Sequence, residues 1–266
     1  FRKIKGPPPD AATLRSFYLQ YYVAQRQWRR LEQFLADASR GGLGDPIEVK
    51  RTLGRLALEH DQDERAIGFW QGLRAHVPED QEAREALETL YEAAGRWHAV
   101  VDLLNEDVDR YDTDTTRIIE TLRRIVEIYE NQLDAPAKAI AAWQALLDVD
   151  PHHFEAMDAL AMAYETLGRW PDLARILEQK AESLPDIVGQ LETRRKLAQL
   201  MLTRFASSSE AVRHYEALLA LEPFDAEALS ELKRLYLERH DHEAYVQLSR
   251  RELEALPVNL QEAPRR

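Results

Sequence analysis

The chain has 266 residues and no cysteine, which excludes disulfides and thiolate metal sites. Hydrophobic residues make up 45% and charged residues 31%, a balance that excludes a disordered segment. No apolar run approaches about 18 residues, so no membrane-inserted helix is expected. The formal net charge of −12 disfavours nucleic acid as a partner and favours a basic protein surface, with plain solubility as the competing explanation.

Ala, Leu, Glu and Arg dominate and no alternating apolar–polar run is present, so the elements are expected to be helices. Residues 1–10, ending in "KGPPPD", read as an extended lead-in. A helix pair is expected over 12–43, around "YVAQRQWRRLEQFL" from Tyr22 to Leu35. The stretch "ASRGGLGDP" (Ala38 to Pro46) then reads as a joint. The second pair, 47–78, holds "RAIGFWQGLRAHVP", and the third, 81–112, holds "YEAAGRWHAVVDLL". "RYDTDTT" lengthens the next joint, before a fourth pair over 119–151 with "KAIAAWQALLDVDP". The fifth pair, 154–185, holds "YETLGRWPDLARIL", and "PDIVGQ" reads as another long joint. The sixth, 191–223, holds "EAVRHYEALLALEP", and the seventh, 226–257, holds "YLERHDHEAYVQLS". Residues 258–266 are a tail.

Two patterns alternate. In the odd pairs, Gly95 and Gly168 stand where one helix stops and the chain turns left-handed, and Trp97 and Trp170 are placed to cover the open end. Pro171 suits the first turn of the next helix. Asp80 and Asp150 are candidate N-caps or first-turn acids. In the even pairs, Ala66, Ala139 and Ala211 are each succeeded by an aromatic (Trp70, Trp143, Tyr215), a Leu and a closing Pro (Pro78, Pro151, Pro223) on a fixed spacing. Bulk removed at one interface would be restored at the next, as close packing demands.

These patterns resemble the tetratricopeptide repeat, whose unit is an antiparallel helix pair of about 34 residues. First-helix anchors fall at Tyr22, Ala57, Tyr91, Tyr129, Tyr164, Met201 and Tyr236. Second-helix anchors fall at Leu31, Ala66, Val100, Ala139, Leu173, Ala211 and Tyr245. The resemblance implies an all-α, right-handed α-solenoid of about seven hairpins spanning residues 11–257. The odd units depart from the family by their bulky second-helix anchors. Glu88 and Lys233 stand where a small residue is usual, which predicts loose packing or a bend there. Residue 1 is Phe, so the lack of a targeting signal says little about a longer parent protein, and with no polar capping helix after the seventh unit the array is expected to continue in one.

No catalytic pattern is present. "GGLG" lacks the Lys-Ser/Thr of a phosphate loop, and neither Gly-x-Ser-x-Gly nor His-Glu-x-x-His occurs. "HDH" at His240 to His242 lacks further ligands at a suggestive spacing, and "DVDRYDTDTT" lacks the Gly and Glu of a calcium loop. The chain is therefore expected to be non-enzymatic, with no cofactor or metal.

In the resembled family, one stripe on the first helices lines the concave side of the superhelix and binds a peptide or helix. The matching positions are nine, six and two before the first-helix anchor and one after it, which keeps them on one face. They give the candidate partner-binding residues Arg51, Arg55, Leu58, Glu85, Glu92, Arg123, Glu127, Glu130, Asp158, Met162, Glu165, Arg195 and Leu202. The middle units are rich in acids there, and Val23, Leu58, Leu202 and Leu237 flank them. A protein partner with a basic centre and apolar flanks would suit this face. Against that stands helix maintenance. Glu82, Glu155 and their equivalents lie in first turns, and Glu48 with Arg51, Glu120 with Arg123, and Glu192 with Arg195 have i,i+3 spacing. Arg51 and Arg55 lie near the places where some family members grip a terminal carboxylate, but the accompanying Asn is absent.

The function expected is a protein–protein interaction scaffold, monomeric in itself and part of a larger bacterial assembly of motility, pilus or secretion type. The alternative is a recruiting module of a larger enzyme whose catalytic domain lies elsewhere. RNA binding would call for a basic stripe with stacked aromatics, and here the aromatics fall at packing positions. The cytoplasm is the expected location, with the periplasm as the alternative.

Overall fold

The computed structural model describes residues 11–40, 45–110 and 114–255. The lead-in, the joint at 41–44, residues 111–113 and the tail lie outside them. Among the described residues there are fourteen α-helices and no strand. They are α1 (Ala11–Ala24), α2 (Trp28–Arg40), α3 (Pro46–Glu59), α4 (Asp63–Arg74), α5 (Gln81–Ala93), α6 (Trp97–Arg110), α7 (Thr115–Asn131), α8 (Pro136–Val149), α9 (Phe154–Thr166), α10 (Trp170–Ser183), α11 (Ile187–Thr203), α12 (Ser208–Leu221), α13 (Ala226–Glu238) and α14 (His242–Ala255). The chain forms two compact units, Phe1–Glu106 and Asp107–Arg266. Within each, helices pack mainly on their neighbours in sequence. No helix can shelter its apolar stripe alone, so stacking supplies the stability.

One turn design joins each odd-numbered helix to the next. The residue two before the second helix has a positive φ every time: Arg26, Asp61, Gly95, Asp134, Gly168, Ala206 and His240, with φ between 45° and 66°. The N–H of the following residue then donates to the carbonyl of the first-helix anchor. These bonds are Gln27 to Tyr22, Gln62 to Ala57, Arg96 to Tyr91, Ala135 to Tyr129, Arg169 to Tyr164, Ser207 to Met201 and Asp241 to Tyr236, all at 2.8–2.9 Å. A helix end leaves carbonyls unpaired, and this return bond satisfies one of them. Only two of the seven left-handed residues are glycines, so the other five accept strain for the sake of the register.

The anchors are core positions. Leu31, Ala66, Val100, Ala139, Leu173 and Ala211 are fully buried, whereas Tyr245 of α14 is half-buried. The even-pair aromatics Trp70, Trp143 and Tyr215 are all buried at the same register position. Gly54 makes room for Trp70, because a methyl group on it would lie 2.5 Å from the indole ring. The odd-pair tryptophans are met from the turn of the next pair: Trp28 by the edge of His60, and Trp170 by the Arg204 guanidinium 4.2 Å above the ring.

Three expectations need correction. Asp80 does cap α5, accepting from the Ala83 N–H at 2.9 Å, but α9 is capped by His153, whose Nδ1 accepts from Ala156 at 3.2 Å. Asp150 instead accepts from the His152 N–H, inside the preceding turn. The stretch "PDIVGQ" is mostly helix: Asp186 caps Gly189 at 2.6 Å and starts α11 at Ile187, so the extra residues lengthen a helix rather than a joint. Glu88 and Lys233 are held in ion pairs, with Arg84 at 2.9 Å and with Glu252 of α14, and so are anchored rather than loose.

Candidate functional site

The first-helix stripe is described separately for each unit. In the first, Arg51 of α3 reaches across to α5, pairing with the Asp80 cap and with Glu82 at 3.3 Å, besides its own Glu48. Arg55 adds bonds to both Glu82 oxygens, at 2.5 and 2.7 Å. Burial works against the charge on Asp80, but the Ala83 N–H and the Arg51 guanidinium outweigh it and hold the carboxyl below its usual range. Glu85 is exposed and accepts from Gln81 at 2.8 Å, Glu92 is half-buried, and Leu58 is exposed.

The second unit repeats the clamp twice. Arg123 of α7 pairs with Glu155 of α9 at 3.0 Å, and Arg195 of α11 pairs with the Asp225 cap at 2.6 Å and with Glu227 at 2.9 Å. His153 replaces the acidic cap in the α7–α9 copy, so Arg123 has only the glutamate to hold. The i,i+3 pairs expected for Glu120 with Arg123 and Glu192 with Arg195 do not form among the described residues, whereas Arg51 keeps its pair with Glu48. Sequence reasoning missed the clamp. Its signal is that Arg51, Arg123 and Arg195 recur at 72 residues, each with an acidic first turn about 30 residues further on.

Other candidates are divided in the same way. Glu130 is exposed and accepts the Trp143 indole N–H at 3.1 Å. Glu165 pairs with Lys196 of α11 at 2.7 Å, and Asp158 pairs with Lys180 of α10. Arg234 is held by Glu231 and Glu238 on its own helix. Val23, expected as an apolar flank, is buried, and Leu202 is half-buried. The residues that stay open are acidic and apolar. Glu120, Glu127 and Glu192 are exposed with no cationic partner among the described residues, and Met162 and Leu237 are 69% and 47% exposed.

No family model matches the chain, and no curated protein matches it by sequence. Solved structures are similar to it in fold. MamA is 15% identical over 63% of this chain and 93% of its own, with a TM-score of 0.35. A tetratricopeptide repeat protein from Parabacteroides merdae is 16% identical over 83% and 82%, with a TM-score of 0.34. A repeat protein from Bacteroides fragilis is 9% identical over 73% and 100%, with a TM-score of 0.45. At such values the deciding observation is internal: seven turns with a left-handed residue at one place, five closing over five residues and two over six, each on the anchor expected for that repeat. These are tetratricopeptide-like hairpins.

A second tie between tetratricopeptide-like hairpins lies in the packing. Gln71, Gln144 and Glu216, each five after an even-pair Ala anchor, bond the hydroxyls of Tyr91, Tyr164 and Tyr236, the next odd-pair anchors. The distances are 2.7, 2.6 and 2.5 Å, and each pair is 20 residues apart. No residue group on the described residues could hold a metal with three or more His, Asp or Glu ligands, and no described helix is long and apolar enough to cross a membrane.

Proposed function

We propose that the chain is a non-catalytic protein-interaction scaffold, and that the first helices of its second unit receive a basic segment carrying apolar side chains. The observation that supports this best is Met162, exposed in the middle of α9 at the register position held by Glu127 on α7. A thioether adapts to varied apolar partners, and unpaired carboxylates around it select for cations. The clamps strengthen the reading, because they consume the arginines of the face and leave its surplus charge negative. In the first unit, Arg51 and Arg55 act as staples between α3 and α5, and Leu58 and Glu85 are the residues offered to a partner. A monomeric, cytoplasmic component of a larger bacterial assembly is the setting this reading favours.

The test uses the full chain and a fluorescein-labelled peptide of alternating lysines and leucines. Glu127→Lys combined with Met162→Asp should weaken binding about tenfold or more and flatten its salt dependence, with the melting temperature unchanged. Equal binding by parent and variant retires the assignment.

A further inference from the structure

A groove outside the first-helix stripe occurs at one register position between α8 and α10 and again between α12 and α14. Its walls are an even-pair second helix and the next odd-pair second helix, and its floor is the first helix between them. At the matching register of the first copy, Arg74 of α4 pairs with Glu106 of α6. In the second, between α8 and α10, the groove is about 470 Å³, and the Gln179 side chain bonds the Pro151 carbonyl at 2.9 Å. Gln179 stands six after its second-helix anchor, as Glu106 does.

The third copy, between α12 and α14, has no such strap among the described residues. The position of Arg74 is Leu219, and that of Glu106 is Arg251. Arg251 is exposed and has no hydrogen bond or ion pair among the described residues, and the groove widens to about 610 Å³. Its wall and floor are apolar, with Leu219, Leu229, Leu232 and Leu248, and Phe224 stands 57% exposed at one end. The two acids on its lining are already committed: Glu216 to the Tyr236 hydroxyl and Glu252 to Lys233. Arg251 is thus an uncompensated charge on a groove whose sister positions each carry a polar tie between the flanking elements.

We infer that the α12–α14 groove is a second docking site, taking a short apolar peptide segment that presents one carboxylate to Arg251. The carboxylate supplies the acid that Glu106 supplies in the first copy, and the apolar side chains cover the leucines. A charge-assisted contact in an apolar setting is selective, because a cationic or neutral ligand would leave the arginine unpaired. The net charge of −12 opposes an acidic ligand at long range, so the contact is to be measured near physiological salt, where that field is screened beyond about 8 Å. The residues differ from those of the proposed first-helix face, so each site can fail without the other.

The probes are two fluorescein-labelled octapeptides, Ser-Gly-Leu-Glu-Leu-Phe-Gly-Ser and its twin with Lys in place of Glu, followed by anisotropy on the full chain. The parent should prefer the Glu peptide by about tenfold or more, and Arg251→Glu should reverse the preference. Leu219→Arg with Arg251→Glu rebuilds the strap of the first copy. That double variant should keep its melting temperature and lose both peptides. Equal or absent binding of the two peptides by the parent overturns the inference, as does an unchanged preference in Arg251→Glu. Self-association of the parent that the double variant abolishes would assign the groove to a second copy of the chain and overturn it equally.

Discussion

The Gln144 side-chain amide donates to the Tyr164 hydroxyl at 2.6 Å, joining the second helix of one hairpin to the first helix of the next. Gln71 donates likewise to Tyr91, and in the third copy the direction reverses, the Tyr236 hydroxyl donating to the Glu216 carboxylate. In the third copy, burial and the Glu216 carboxylate together push the Tyr236 hydroxyl well above its ordinary pKa, so it remains the donor. Even-to-odd junctions therefore carry a polar pin beside the arginine clamp.

A double-mutant cycle measures the pin. Tyr164→Phe should cost about 0.5–1.5 kcal/mol in urea unfolding, as should Gln144→Ala, and the double variant should lose less than the sum. Full additivity would mean that the two side chains do not interact.

The strained turns give a stabilising substitution. Ala206 has φ 49°, in a turn where Gly95 and Gly168 take 66°. Ala206→Gly should gain about 0.5–1 kcal/mol, the relief of left-handed strain less the added freedom of the unfolded chain. Gly168→Ala should lose a similar amount. A melting temperature that falls in Ala206→Gly contradicts this account.

Two neighbouring glutamates should behave differently. Both are exposed, but Glu130→Lys removes the acceptor of the Trp143 indole and should destabilise the fold by about 1 kcal/mol, whereas Glu127→Lys should stay within about 0.5 kcal/mol of the parent. Trp143→Ala should cost about 3–5 kcal/mol through lost core volume. Chemical denaturation of the three variants ranks them.

The clamps should be unequal. The Arg51 partner Asp80 is nearly buried, with a side chain 7% exposed, whereas both members of the Arg123–Glu155 pair are about half exposed. Arg123→Ala should cost at most about 1 kcal/mol, and less in salt. Arg51→Ala should cost more, since it strands a buried capping carboxylate. The opposite order would show that the cap does not need the arginine.

His214 sets a pH dependence. It is buried on α12, facing Glu178 and Glu182 of α10 and Arg194 of α11, with Arg213 and Glu210 on its own helix. Burial, aided by Arg213, holds its pKa below the ordinary value of 6.5. The unfolded chain then binds a proton that the folded chain refuses. Stability from this group is full above pH 6.5 and falls as the pH drops below it, toward the folded pKa. His214→Phe should flatten that slope between neutral and mildly acidic pH. An unchanged slope would assign the dependence to other groups.

The register of the array is legible in the sequence, and its polar ties are not. Ala66, Ala139 and Ala211 are marked by the aromatic, Leu and Pro spaced after them, and all three are core anchors. Gly95 and Gly168 point to two left-handed turns. The other five are hidden, because Arg26, Asp61, Asp134, Ala206 and His240 carry no glycine signature and are held in place by the return bond to the anchor. Among the candidate site residues, composition marks an acidic face but does not say which acids remain available. Arg51, Arg123 and Arg195 look like partners of a glutamate one turn away; Arg51 keeps Glu48 and also reaches Asp80, whereas Arg123 and Arg195 pair with a helix of the next hairpin.

The helix pairing and the anchor positions are determined by the sequence itself. A recurring small residue, aromatic and proline can be buried consistently only in one register. The tertiary structure alone decided the allotment of charge: Glu130 to Trp143, Arg195 to Asp225, Arg251 to none among the described residues. Apolar burial depends on a side chain's own period, which a linear reading contains. A polar tie depends on the distance between two side chains 13 to 35 residues apart, and that distance is fixed only when the helices pack.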